Sequence, residues 1–390
     1  MSSDAERMGR AAPSDSRAAP ARVLMPTIRR LNPHAAWCSN YEFEDVARAV
    51  DDVDLLELQP APASQLRQRL ARSVAWRGKH PAFTHLNPGV KPVTVRRDYD
   101  LFVFVCMNMW DLLYLNAIHD WKARCRVKVC YITEFYGGYA RQYDHFLRRL
   151  ADFDHVAQPF SGSLAEMSRA LGRPCHHLPL AADVRRFTPY PDPPRRVIDV
   201  LSVGRRSEPV HQELLRLAAS HRFFYLHDTI PGPLIRPSRP AEHRDMLANS
   251  AKRSRFFIAY PAKFGDEETR GQSEVGARYF EGTAAGTILL GQAPTAPAFR
   301  DDFPWPDAVV EPRLDGADVA EILARFDARP EEAERVAERN AVAALRRHDW
   351  GHRWQSILRV AGASPRPGLA ERLRALEALA DEASCRPVTP

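Results

Sequence analysis

The chain has 390 residues, of which 45% are hydrophobic and 27% are charged. This composition is typical of a globular protein. The length predicts two units of about 150 to 190 residues, because a chain of this size exceeds what a single hydrophobic core usually holds. The longest apolar candidate, 101–110, is too short for a bilayer span, which needs about 18 residues. The formal net charge is +6, and the 55 basic residues are spread along the chain. We expect this charge to favour a phosphate-bearing ligand or an anionic membrane surface, and the lack of stacking aromatics among the cations argues against nucleic acid.

The two ends of the chain are predicted to be tails. Residues 1–21 are rich in Ala, Ser, Pro and charge and lack an apolar stretch, which predicts disorder and neither a signal peptide nor a membrane anchor. Residues 384–390 form the second predicted tail. The cysteines show no close pairing, which predicts reduced thiols in the cytoplasm, and their spacing to histidines fits no common zinc site. They are Cys38, Cys106, Cys125, Cys130, Cys175 and Cys385.

The first half of the chain alternates predicted strands and helices, which is typical of a parallel sheet with helices on its faces. Ligands of such sheets bind at the carboxyl ends of the strands. Thr133 and Glu134 form a polar pair at one such end, although Glu134 also suits a helix cap. The predicted strands are 22–28, 53–58, 99–106, 127–132 and 154–159, and the predicted helices are 41–50, 63–74, 110–121 and 161–172.

The second half repeats this alternation after a stretch with four prolines at 188–196. Such a stretch predicts a stiff linker, so we expect a first domain at 22–188, a linker at 189–196 and a second domain at 197–347. Helices at 348–383 close the chain, with Trp350 and Trp354 as core anchors. The last amphipathic helix, 369–383, is expected to dock on the body, on a partner or on a membrane surface. The other predicted elements are strands at 197–203, 223–227, 255–260, 288–290 and 308–311 and helices at 211–220, 241–250, 273–286, 317–326 and 330–347.

The segment 273–286 is predicted to be an acidic helix that runs into the strand 288–290. Ser273 suits its N-cap, Glu274 its first turn, and Gly286 the C′ position that ends it. Glu274 and Glu281 are seven residues apart, so both carboxylates are expected on one helix face, with Arg278 able to pair with either. The alternative is an ordinary solvated face with such pairs.

Arg278 to Gly286 follow the pattern R-x-F-E-x-x-A-x-G, which resembles the nucleotide-sugar signature of bacterial two-domain glycosyltransferases of the GT-B type, in the spore-protein-like branch. The resemblance implies two facing Rossmann-like domains with a cleft between them and C-terminal helices that return to the first domain. It implies that Glu281 holds the ribose hydroxyls of the donor and that an acid lies eight residues upstream. Ser273 occupies that position here, and Glu274 stands one residue out of register.

Other segments extend the resemblance. Asp183, Phe187 and Pro189 match the end of the first domain in this family, while Ala181 and Ala182 replace its usual Asn-Gly. The resemblance therefore implies no ligand contact at these two alanines.

Gly204 and Arg205 match the strand end that faces the donor diphosphate in the family. A glycine permits close approach of a phosphate, and an arginine clamps it. The Lys-Gly that usually follows is absent, so Lys263 or Arg270 is expected to supply the missing cation.

The resemblance implies transfer of a sugar from a nucleoside diphosphate sugar to an unknown acceptor, which is a glycan, a lipid, a protein or a small molecule. The implied catalytic residues are Glu134, as acid, base or acceptor anchor, and Glu274. No cofactor beyond the donor is expected, and no metal, since no D-x-D motif is present. Two alternatives stay open: a non-catalytic interaction or regulatory module with the same fold, and a sugar-nucleotide epimerase or phosphorylase.

Overall fold

The computed structural model describes residues 21–220, 222–230 and 235–385. The predicted tails at 1–21 and 384–390 fall almost entirely outside the described residues. Within the described part, every pair of neighbouring strands is parallel, as the alternating pattern predicts.

The first sheet has six strands in the order β2-β1-β4-β6-β7-β8. Its central strands are apolar on both faces because helices cover both sides, which is why they lack polar alternation. A two-stranded sheet, β3-β5, lies beside it. The bounds are β1 Val23–Thr27, β2 Val53–Glu57, β3 Val93–Thr94, β4 Tyr99–Cys106, β5 Ile118–His119, β6 Cys125–Ile132, β7 His155–Gln158 and β8 His176–His177.

The second sheet has four strands in the order β10-β9-β11-β12. The apolar segment 288–290, predicted to be a buried strand, pairs with β11. The predicted strand at 308–311 is reduced to a single bridge from Val310 to Leu290. The bounds are β9 Ile198–Ser202, β10 Tyr225–His227, β11 Ser254–Ala259 and β12 Ile288–Gly291.

Helices cover both sheets and account for the buried stripes in the sequence. Those of the first half are α1 Cys38–Val50, α2 Ser64–Gly78, α3 Trp121–Arg124, α4 Asp144–Leu147, α5 Leu164–Leu171 and α6 Val184–Phe187. Those of the second half are α7 Glu208–Ala218, α8 Pro240–Lys252, α9 Ala277–Ala284, α10 Phe299–Asp302, α11 Val319–Ala328, α12 Pro330–Arg347, α13 Trp350–Val360 and α14 Pro367–Ser384.

The helix predicted at 110–121 is wrong. This segment is a 3-10 helix, Met109–Ala117, followed by β5 and α3. The Asp111 carboxylate accepts hydrogen bonds from the Met107 amide at 2.9 Å and from Trp37 Nε1 at 3.1 Å, which tightens the turn after β4. Nearly every side chain of the segment is buried, so it has no separate polar face of the kind that an α-helix on a sheet presents.

The closing helices return to the first half of the chain. Trp350 and Trp354 of α13 are fully buried, and the Trp350 ring centroid lies 5.1 Å from that of Phe43 in α1. Trp354 Nε1 donates to Asp51 at 2.9 Å. Helix α14 buries its apolar face on the rest of the protein, chiefly against α12. Of the three docking sites predicted for this helix, the body, a partner or a membrane surface, the structure therefore shows the body.

One hydrophobic core extends from the first sheet to the second and includes Phe43, Phe257, Phe280 and Trp350. Two further cores lie on the outer faces, one on each sheet. The predicted fold class, α/β with two facing Rossmann-like units and returning C-terminal helices, is confirmed. The domain boundaries at 188, 196 and 347 stay a prediction.

Candidate donor site

A cleft of about 430 Å³ lies where the carboxyl ends of the two sheets meet. The loops after β4, β6 and β7 line one wall, and those after β9 and β11 line the other together with the start of α9. Ligands of α/β sheets bind at such edges. Six of the seven predicted site residues line this cleft: Glu134, Gly204, Arg205, Lys263, Arg278 and Glu281.

Gly204 and Arg205 follow β9 after one intervening residue, Val203. Gly204 has a φ of +90°, which favours glycine, and its amide donates to Asp228 at 2.8 Å. Arg205 is 48% exposed at its side chain and pairs with Asp266 at 3.1 Å. Since this pair is exposed, an anion in the cleft can compete for the guanidinium at little cost.

Glu281 is fully buried, and each of its oxygens accepts from an arginine: Oε1 from Arg244 and Oε2 from Arg278. Burial alone would raise the pKa of Glu281, but the Arg278 and Arg244 charges outweigh it and lower the pKa to about 2 from its ordinary value of 4.5. The Glu281 carboxylate is therefore ionised at pH values well above 2.

Arg278 is held beside Gly204. Its Nε donates to the Val203 carbonyl at 2.9 Å, and its guanidinium lies 3.8 Å from where a Cβ on Gly204 would stand. Glu281 fixes the other side of the guanidinium. The result is a second guanidinium beside the strand end at Gly204.

Arg244 connects this site to the first half of the chain. It is buried, and besides Glu281 it donates to both oxygens of Glu42 in α1, at 3.0 and 2.9 Å. Glu42 also accepts from Trp350 Nε1 at 3.1 Å. Sequence reasoning missed both Glu42 and Arg244, since neither stands in a motif and 202 residues separate them. No signal in the sequence singles out Glu42, since Glu44 of the same helix is buried as well.

The predicted helix start at Ser273 is wrong. Helix α9 begins at Ala277 after Gly276, so Glu274 and Glu281 do not share a helix face, and among the described carboxylates Arg278 pairs only with Glu281. The backbone of Glu274 is not helical, and its carbonyl accepts from the Ala262 amide at 2.9 Å, outside any helix. The predicted stop is confirmed, since Gly286 follows the helix with a φ of +63°.

Glu274 itself is fully buried and lies outside the cleft. Its Oε1 accepts from the Gly162 amide at 2.9 Å and from Gln272 Nε2 at 2.6 Å, while Oε2 has no hydrogen-bond partner among the described residues. Burial raises the pKa of this carboxyl. Glu274 thus links the loop before α9 to the loop after β7 in the other half.

Glu134 lies on the opposite wall and pairs with Lys263 at 3.0 Å across the cleft. Lys263 also contacts Glu268 at 2.9 Å; burial would lower the pKa of Lys263, but the two carboxylates raise it. The 3-10 helix that follows Glu134 has no side-chain cap, so the capping alternative is wrong. Of the two predicted spare cations, Lys263 lines the cleft, whereas Arg270 donates to the Gly138 carbonyl at 2.9 Å outside it.

Two other features bear on the chemistry. No group of three or more His, Cys, Asp or Glu side chains in the described ranges is placed to hold a metal ion. A larger groove, about 580 Å³, runs along the linker between Pro189 and Pro330 and is lined by two arginines, Arg196 and Arg255. Arg196 donates to backbone carbonyls, and Arg255 pairs with Asp199 and Asp327, so both cations of this groove are already engaged within the protein.

Residues 209–359 match the model of a family described as glycosyl transferase-like. No curated protein matches the chain in sequence. The specific R-x-F-E branch is not distinguished by these matches.

Solved structures share the fold at low identity. An alpha-glucosyltransferase in complex with UDP-glucose and DNA containing an abasic site is 10% identical with a TM-score of 0.51, over 87% of this chain and 98% of that chain. An alpha-glucosyltransferase with UDP and a 13-mer DNA is 10% identical with a TM-score of 0.50, over 87% and 99%. Anabaena HepE in complex with UDP-glucose is 12% identical with a TM-score of 0.48, over 87% and 99%. The first two match the GT-B arrangement that the sequence predicts.

The lowered pKa of Glu281 gives a pH-dependent prediction. The folded-state pKa lies near 2 and the unfolded one near 4.5, so ionised Glu281 stabilises the fold above pH 4.5, and this stabilisation is lost as the pH falls towards 2. Glutamine carries no charge, like the protonated acid. We expect the free energy of unfolding of wild type to exceed that of Glu281→Gln at pH 6, with the difference shrinking by on the order of 3 kcal/mol on going to pH 2.

The measurement is urea unfolding from pH 2 to pH 6. Glu371→Gln, at an exposed position of α14, is the control and should show a difference near zero throughout. A wild-type advantage over Glu281→Gln that does not change with pH would contradict the ion-paired state of Glu281.

Proposed function

We propose that the protein is a glycosyltransferase that moves a sugar from a nucleoside diphosphate sugar to an acceptor. The observation that carries the proposal is the strand end at Gly204, where Arg205 and Arg278 flank a glycine that a phosphate can approach. The match of 209–359 to a glycosyl transferase-like family supports it. The UDP and UDP-glucose in the named neighbouring structures make a uridine nucleotide the first donor to test.

In this proposal the leaving group is stabilised by protein cations. As the bond from the sugar to the diphosphate breaks, negative charge grows on the phosphate oxygens, and preorganised guanidinium groups stabilise that charge. Arg205 and Arg278 supply two guanidinium groups, and the Lys263 ammonium supplies a third positive charge. With these three cations to neutralise the diphosphate, the reaction needs no metal, which is part of the proposal.

Glu281 has two proposed roles. The resemblance implies that it holds the ribose, but both of its oxygens are already engaged by arginines. We therefore infer that its first role is to position Arg278, with ribose contact following when Arg278 turns to the diphosphate.

Glu134 is proposed to act on the acceptor. It stands on the wall opposite the arginines, so a sugar between the walls would have the diphosphate on one side and this carboxylate on the other. Glu274 is buried away from the cleft, and we propose that it positions the loop carrying Lys263.

A cytoplasmic location belongs to the proposal as well, because the six cysteines are free. No helix in the described part of the chain combines the length and the apolar character of a bilayer span.

The second candidate is a donor-binding module without transfer. Three departures from the family pattern favour it: Ser273 in place of the upstream acid, the absent Lys-Gly and the Ala181-Ala182 pair. The alanine pair has a structural use here, since the Ala182 amide donates to the His348 carbonyl at 3.1 Å and its carbonyl accepts from the Trp350 amide at 3.1 Å. An epimerase or phosphorylase would instead return an isomerised sugar or a sugar phosphate.

Donor binding is tested by thermal shift with UDP, GDP, ADP and TDP. One of these is expected to raise the Tm of wild type, and Arg205→Ala should weaken its affinity at least about tenfold, since a hydrogen bond to a charged group contributes roughly 1.5–3 kcal/mol. Arg216→Ala is the control, because Arg216 is exposed on α7 and pairs with Glu213 away from the cleft. Stabilisation by none of the four nucleotides, or equal affinity of both variants, would contradict the proposed site.

Catalysis is tested by Glu134→Gln. We expect the release of nucleoside diphosphate from the preferred donor, with water as acceptor, to fall about 10²- to 10⁴-fold in kcat while nucleotide affinity stays within about twofold. Glu268→Gln is the matched control: Glu268 pairs with the same lysine but does not line the cleft. An equal loss of kcat in Glu134→Gln and Glu268→Gln would show that only the pairing with Lys263 matters. If wild type releases no nucleoside diphosphate, the non-catalytic module is favoured.

A further inference from the structure

Helix α2 exposes an apolar stripe. The helix packs Ala71 and Ala75 against the body, while Leu66, Leu70 and Val74 are 59%, 56% and 41% exposed. These three residues are spaced four apart, so they line up along the outward side of the helix. Large aliphatic side chains in a row on a solvent-facing helix mark an interaction surface more often than chance exposure does.

The net positive charge of the protein is accounted for by the segment that contains this stripe, although basic residues occur along the whole chain. Residues 58–97 contain eight cations and no Asp or Glu, so the remaining residues carry a net formal charge of −2. The cations are Arg67, Arg69, Arg72, Arg77, Lys79, Lys91, Arg96 and Arg97.

The arginines beside the stripe are unneutralised. Arg67, Arg69 and Arg77 are exposed, and no carboxylate oxygen of the described residues lies within 4.0 Å of their guanidinium groups. By contrast, Arg97 at the far end of the segment pairs with Asp54 at 2.8 Å. The outward face of α2 therefore combines apolar side chains with cations that have no carboxylate partner in the described part of the chain.

We propose that this surface, the Leu66 face (Leu66, Leu70 and Val74 with Arg67, Arg69 and Arg77), binds an anionic lipid bilayer. The helix lies in the plane of the interface, the aliphatic side chains enter the boundary between headgroups and acyl chains, and the arginines bind lipid phosphates. Each cation near an anionic surface contributes about a fivefold gain in affinity.

Charge complementarity favours lipid over other occupants. A second copy of the chain, paired about a two-fold axis, would bring these same cations together without carboxylates between them. Single-stranded nucleic acid is bound through aromatic rings that are free to stack on bases, whereas Trp76, the aromatic residue of α2, is 37% exposed and already packs on Trp110 and Tyr143. An anionic bilayer matches both the cations and the stripe.

The test is co-sedimentation of the full chain with vesicles at about 0.1 M salt. Wild type is expected to bind vesicles that contain both phosphatidylglycerol and phosphatidylcholine. It is not expected to bind vesicles of phosphatidylcholine alone. Leu66→Ser/Leu70→Ser should weaken binding at least about tenfold. Arg67→Gln/Arg69→Gln should weaken it about 25-fold, from two cations.

The matched controls lie elsewhere on the surface. Leu314→Ser removes a leucine that is 53% exposed, and Arg374→Gln removes an exposed arginine of α14; both are expected to bind vesicles like wild type. Equal binding to both kinds of vesicle, or wild-type binding by the leucine variant, overturns the proposal. So does a dimer in sedimentation velocity without lipid that the leucine substitutions dissociate. Circular dichroism melts verify that each variant is folded.

The outcome is independent of the proposed transfer reaction. The Leu66 face does not line the cleft, so its variants should keep the nucleotide affinity of wild type. Loss of vesicle binding with intact nucleotide binding separates the two surfaces.

Discussion

The structure depends on a buried chain of alternating charges, Glu42, Arg244, Glu281 and Arg278, that runs from α1 to the cleft. Ionised groups away from water are costly unless each has a partner, and here every inner member has two. Removing Arg244 would take a charged partner away from each of two buried carboxylates, Glu42 and Glu281. The chain therefore fixes α1, α8 and α9 relative to one another and ends with a guanidinium at the donor wall.

This arrangement makes the contact between the two halves part of the site. Arg244 belongs to the second half and Glu42 to the first. The indole of Trp350, at the start of α13, donates to the same Glu42 carboxylate. Further contacts cross nearby: Tyr136 donates to the Ala262 carbonyl at 2.8 Å, beside the pair between Glu134 and Lys263. A rearrangement of the two halves would thus move both the cations of one wall and the carboxylate of the other.

The sequence predicted the sheets well because parallel strands are short apolar runs, and it predicted the returning helices through Trp350 and Trp354. It located Gly204, Arg205 and Glu281 because motifs carry them. It missed Glu42 and Arg244, since a partner 202 residues away leaves no spacing to detect. It misplaced the start of α9 because Ser and Glu are good helix starters locally, while the contact of Glu274 with Gly162 is tertiary. Propensity was overridden there by packing.

The central claim is that the cations at the Gly204 strand end bind a nucleoside diphosphate. The most direct measurement is a crystal structure of the wild-type chain with the nucleotide that binds best. The account predicts the diphosphate beside Gly204, with guanidinium nitrogens of Arg205 and Arg278 within about 3 Å of its oxygens. A nucleotide bound in the linker groove, or in the cleft without phosphate contact to either arginine, would contradict the account.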